Sequence, residues 1–161
     1  MEYPYAAPAD VVWAMVTDRA FLMAKLEATG ALEFDVLECA ETPDGGYRVV
    51  TQRTVEEDIP SFARRIFNPT NALTQVEDWE AESGGTRLGD WRVETKGVPV
   101  TTGGATRLEP TDEECVQHIE GTIKVSVPLI GGRLERFVFD QARKTMDIEH
   151  TFGQKWLAEH T

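Results

Sequence analysis

One long C-terminal helix follows a chain that otherwise reads almost entirely as strand, and this limits the possible folds more than any other feature. Val127-Pro128-Leu129-Ile130-Gly131-Gly132 stops a strand. From Arg133 to about His160, Leu134, Val138, Gln141, Thr145, Ile148, Phe152 and Trp156 recur at spacings of three and four, which makes one continuous helical face. At ~1.5 Å per residue the helix is roughly 40 Å long, enough to cross a small domain. Such a stripe must be buried against another layer, and the rest of the chain offers a sheet.

The earlier residues supply that sheet. Met1 to Tyr5 reads as a short strand. Pro8-Ala9-Asp10 opens a first helix, and Asp18 caps a second over Arg19 to Ala28, ended by Gly30. From Leu32 the period changes to two. Leu32, Phe34 and Val36 alternate with acids, and Pro43-Asp44-Gly45-Gly46 turns the chain. Tyr47, Val49, Thr51, Arg53 and Val55 share a face of the next strand. Ile59 to Pro69 is irregular and reads as a short helix or a mobile loop. Strands follow over Thr70 to Glu82, Thr86 to Lys96, Val100 to Pro110 and, after a turn at Thr111-Asp112-Glu113, Cys115 to Val127. In the last, Gln117, Ile119, Gly121, Ile123, Val125 and Val127 share one face, and His118, Glu120, Thr122, Lys124 and Ser126 the other. Hairpin-length turns make the sheet antiparallel and the fold class α+β.

Size and composition agree with a single domain over residues 1–161. Apolar residues make up 41% and charged residues 27%, ordinary for a globular chain. The net charge of −12 disfavours nucleic acid and anionic membranes as partners. No apolar run approaches the ~20 residues of a membrane span. MEYPYAAPAD has no basic region followed by an apolar core, so no signal peptide is expected and the cytoplasm is the default location. Cys39 and Cys115 are read as reduced thiols on separate strands, with no CxxC to suggest zinc.

The order strand, two short helices, six strands, long helix resembles the helix-grip fold of the START / Bet v 1-like superfamily, also called the polyketide-cyclase-like or SRPBCC group. The opening Tyr5 to Met15 (YAAPADVVWAM) and the ending Gly121 to Arg136 (GTIKVSVPLIGGRLER) resemble, within it, an actinobacterial domain-of-unknown-function family. The resemblance implies a curved antiparallel sheet of about seven strands and a hydrophobic cavity between sheet and long helix. Lipids, polyketides or other apolar molecules are implied as its occupants. It carries over no catalytic residue.

If the long helix faces the sheet, the apolar wall is expected from Phe34, Val36, Tyr47, Val49, Trp91, Val93, Ile119, Ile123, Phe137, Ile148 and Phe152. Gln141 and Thr145 lie on the same helix face and either orient a ligand or bond the sheet or a trapped water. Glu149 borders the stripe and could reach the cavity mouth as an acid. Arg53 could bind an acidic head group, pair with Glu149, or snorkel at a strand end. Gly103, Gly104 and Gly121 are read as bends in the sheet rather than ligand contacts. His118-x-Glu120 reads as an outer-face pair, Asp147 and His150 as a solvated face, and Gly131-Gly132 as a turn and cap. Phe62, Ile66 and Phe67 form either a lid or a core anchor.

No nucleophile elbow, dinucleotide or Walker sequence is present, and neither cofactor nor metal is expected. The function expected is binding or carriage of a small apolar molecule, lipid-like or polyketide-like. A cyclase, dehydratase or hydrolase acting on such a molecule, and a protein-interaction module, are the alternatives. A Glu149–Arg53 or Glu149–Tyr47 contact inside the cavity would favour catalysis. Oligomeric state leaves no signal in the sequence.

Overall fold

The computed structural model describes residues 1–112 and 114–160. Seven strands form one antiparallel sheet: β1 (Glu2–Tyr5), β2 (Glu33–Glu41), β3 (Tyr47–Glu56), β4 (Thr70–Trp79), β5 (Arg87–Thr95), β6 (Val100–Pro110) and β7 (Cys115–Val125). Two short helices, α1 (Ala9–Val16) and α2 (Arg19–Ala28), follow β1, and α3 (Gly131–His160) ends the chain. This is the expected helix-grip α+β architecture. β4, β5 and β7 end earlier than the alternation suggested. The turn expected over Thr111-Asp112-Glu113 includes residue 113, which lies outside the described residues.

The strand order is β1-β7-β6-β5-β4-β3-β2, so β1 and β2 are opposite edges. The chain must therefore cross the sheet between its first and second strands. Six strand spacings of ~4.8 Å make about 29 Å. The 18 helical residues of α1 (8) and α2 (10) supply about 27 Å at 1.5 Å each. The two short helices make that crossing. Asp18 starts α2 by accepting from the Ala20 amide at 2.8 Å, and Gly30 follows it at φ +81°, a conformation glycine reaches without strain.

Buried side chains divide according to the ends of α3. At one end Leu157 packs with Tyr3, Tyr5, Val12, Met15, Phe21 and Trp79. At the other, Leu134 packs with Ile59, Ala63, Phe67, Val98 and Val125. Phe62 and Ile66 pack against this second group, so the irregular segment, which holds a 3-10 turn at Ser61–Ala63, anchors to the core. Only Leu134, Gly153 and Leu157 of α3 are fully buried among the described residues. Helix α3 is thus clamped at both ends and bridges the sheet between them. Among the described residues no helix is long and apolar enough to cross a membrane, which leaves open crossing by strands.

Candidate functional site

A cavity of about 470 Å³ lies under the bridging part of α3. Its floor is the inner face of five strands, read every second residue because strand side chains alternate. β3 supplies Arg53 and Val55; β4 Asn71, Leu73, Gln75 and Glu77; β5 Trp91, Val93 and Thr95; β6 Thr102 and Thr106; β7 Gln117, Ile119, Gly121 and Ile123. The roof is Phe137, Val138, Gln141, Ala142, Thr145, Met146 and Glu149. Glu57, Phe67 and Thr29 also border it, and the largely exposed Met1 and Phe139 mark where it meets solvent.

Nine residues expected at the wall line this cavity: Arg53, Trp91, Val93, Ile119, Ile123, Phe137, Gln141, Thr145 and Glu149. Six do not. Val36 and Val49 are sealed under Leu22 of α2, with Tyr47 packed against them. The Tyr47 hydroxyl donates to the Thr17 carbonyl at 3.3 Å, and its ring meets Trp13 edge-on. Burial, then its contact with Cys39, pushes the Tyr47 phenol up to about 12. Phe152 stacks on Phe21 of α2, 5.8 Å between centroids. Phe34 is half-buried on edge strand β2, opposite Arg53. In each of these strands the parity is right, but α1 and α2 fill that end of the concave face.

Ile148 fails for a different reason: it is 44% exposed. At 100° per residue, Glu149 lies about 40° from Thr145 around the helix and Ile148 about 60° the other way. Apolar character marks Ile148, but the inner line continues through Glu149 to Gly153 and Leu157.

β4 was missed. Its inner face, Asn71, Leu73, Gln75, Glu77 and Trp79, is no more apolar than its outer face, Thr70, Ala72, Thr74, Val76 and Asp78. Only the even separation of Leu73 from Trp79 marked the buried side. Thr102, Thr106 and Gln117 escaped for the same lack of contrast, although Gln117 does share the parity of Ile119.

The wall's polar groups are mostly engaged with one another. Arg53 Nη1 donates to Gln75 Oε1 at 3.1 Å, Gln75 Nε2 to Glu77 Oε1 at 2.8 Å, and Trp79 Nε1 to Glu77 Oε2 at 3.3 Å. Gln117 donates to Thr106 at 3.2 Å. Glu149 pairs with neither Arg53 nor Tyr47; Lys25 of α2 holds it at 3.3 Å. Burial raises the Glu57 carboxyl above its ordinary range, with the Arg53 charge opposing. Trp91 lies across its neighbours: its Nε1–H reaches the Ala105 and Glu120 carbonyls at 3.2 and 3.1 Å. A Cβ on Gly121 would stand 2.5 Å from the Trp91 ring. This glycine makes room for an indole; a Cβ at Gly104 would collide with the Glu120 carbonyl of the next strand.

The remaining polar candidates face elsewhere. His118 sits between Glu2 and Glu109 on the outer face, at 3.4 and 3.3 Å. Asp147 accepts from the Tyr3 hydroxyl at 3.0 Å, and His150 contacts the Pro4 carbonyl at 2.6 Å. Chemically, this wall can pack against apolar surface and accept and donate hydrogen bonds.

The comparisons with known proteins bear on the family and the fold. At 26% identity over 120 residues, the chain is similar to the uncharacterized protein Rv0481c of Mycobacterium tuberculosis, covering 73% of this chain and 69% of that protein. A crystal structure of a protein from Thermus thermophilus is similar over 100% of this chain and 97% of its own, with TM-score 0.66 and 15% identity. The allergen Ara h 8.0201 is similar over 96% and 95%, with TM-score 0.53 and 14% identity. At such identities the structures speak to fold alone. The model of the family described as "Protein of unknown function (DUF2505)" matches residues 1–157. This chain therefore belongs to that family and has the Bet v 1-like, helix-grip fold.

Proposed function

We propose that this chain binds or carries a small, mainly apolar molecule, lipid-like or polyketide-like, in the hollow between sheet and α3. The observation that carries the reading is the clamped helix: α3 is buried at Leu134 and Leu157 and spans about 470 Å³ of space between them. That volume falls in the range of small-molecule pockets, roughly 300–1,000 Å³. Val55, Leu73, Trp91, Val93, Ile119, Ile123, Phe137 and Val138 give the ligand apolar surface. The hollow meets solvent, so a mainly apolar molecule that enters it gains by removing this apolar wall from contact with water.

The test is native mass spectrometry of protein purified from its own cells, followed by extraction and identification of any retained molecule. A discrete added mass that organic solvent removes is the expected result. A clean unliganded mass, with no thermal shift across a panel of lipids and polyketides, overturns the proposal.

A further inference from the structure

Arg53 of β3 sets a cation into the floor of the cavity. Its Nη1 donates to Gln75 Oε1 at 3.1 Å, and no carboxylate pairs with it among the described residues. Its Nε and Nη2 groups have no protein partner there, yet they are not buried, so they stay open to a molecule in the cavity. Together they form the side edge of the guanidinium, a fork of parallel N–H bonds that matches the two oxygens of a carboxylate. The protein's own carboxylates leave that edge unused. Glu77 accepts from Gln75 and Trp79 at 2.8 and 3.3 Å, Lys25 holds Glu149 at 3.3 Å, and Glu135 takes the Val125 amide at 3.0 Å. Burial raises the Glu57 carboxyl and the Arg53 charge opposes this, but the two side chains do not pair. Arg136, the other arginine at the cavity, is exposed on α3 and solvated.

We infer that the Nε–Nη2 edge of Arg53 receives the carboxylate of an apolar acid held in the cavity. The inference rests on the ligand-binding reading above and narrows its class to an apolar molecule with one carboxyl head group. A half-buried guanidinium gains most from an acceptor that matches its fork, because charge-assisted hydrogen bonds are roughly twice as strong as neutral ones. A neutral head group makes only the weaker kind. A phosphate matches the fork but adds further negative charge to a floor that already carries Glu57 and Glu77. An ammonium offers no acceptor and meets Arg53 as a like charge. The apolar body of the acid lies along the floor toward Trp91 of β5 and Ile119 of β7. These strands stand about 10 and 19 Å from β3 across the sheet.

The test is calorimetric titration of the unaltered chain with decanoate, methyl decanoate, decyl phosphate and decylamine. Decanoate is expected to bind about tenfold more tightly than its methyl ester, the scale of one charge-assisted hydrogen bond. It is also expected to bind more tightly than the phosphate and the amine. Arg53→Met keeps the apolar stem and removes the guanidinium, and it is expected to bring the ratio of decanoate to ester affinity down to about one. If that variant does not fold, the ranking on the unaltered chain decides the matter. An acid advantage that survives Arg53→Met overturns the inference, because the carboxylate then sits at Arg136 or elsewhere. Ester binding as tight as acid binding overturns it and leaves the cavity reading standing, as does tightest binding of the phosphate or the amine. Binding of none of the four counts against the cavity reading itself, and the inference goes with it.

Discussion

Lys25→Met tests whether an ion pair fastens the roof of the cavity to the rest of the molecule. Lys25 of α2 and Glu149 of α3 meet at 3.3 Å, with side chains only 14% and 19% exposed. At that separation and an effective dielectric near 20, their gross attraction is about 5 kcal/mol. Removing one partner of a buried pair typically costs about 3–5 kcal/mol, because the other charge stays behind without compensation. Here Glu149 borders the cavity, so water can reach the stranded carboxylate, and the expected loss is smaller, about 2–3 kcal/mol. Methionine keeps the apolar stem, so packing is not the variable. Urea unfolding of Lys25→Met, Glu149→Gln and the double variant forms a cycle. The double variant is expected to lose less than the sum of the singles, with a coupling of at least about 1 kcal/mol and an unchanged denaturant slope. Additivity within about 0.3 kcal/mol would refute the reasoning, because the pair would then behave as an exposed one.

Gly121→Ala drives a methyl group to 2.5 Å from the Trp91 ring. The indole is expected to move and lose its two carbonyl contacts, lowering stability by about 1–3 kcal/mol and red-shifting tryptophan emission. An unchanged spectrum and midpoint would contradict this account of the glycine. Glu57→Gln is expected to stabilise the chain at neutral pH. Burial raises the folded carboxyl's pKa, so the folded state holds a proton more tightly than the unfolded one, and stability falls as pH rises through that window. The variant's advantage should vanish below the ordinary carboxylate range; an advantage independent of pH would refute the linkage. Ala142→Trp, in the cavity roof, is expected to abolish uptake of any retained molecule while preserving cooperative unfolding. Undiminished uptake would place the ligand elsewhere.

Periodicity in the sequence determined the elements and their inward faces. Ile119 and Ile123 could be assigned to the cavity floor because strand side chains alternate strictly, and Gln141 and Thr145 to its roof because a helix repeats every 3.6 residues. The residues of β4 were invisible to this reading, since both of its faces are equally polar. Glu57 shares the parity of Arg53 and Val55, but an acid at a strand end does not stand out as a wall residue, and Phe67 reads only as lid or core anchor because its segment has no period.

Only the tertiary structure decided how much of the inward face stays open. Val49 and Arg53 share one face of one strand, yet Leu22 seals the first and the cavity meets the second. The difference comes from β1 and β2 lying at opposite edges of the sheet, which draws α1 and α2 across one end of the bowl. Strand partnership between residues distant in the chain sets that path, and local alternation carries no record of it. The same long-range geometry placed Lys25 against Glu149, a pairing that neither helix discloses alone.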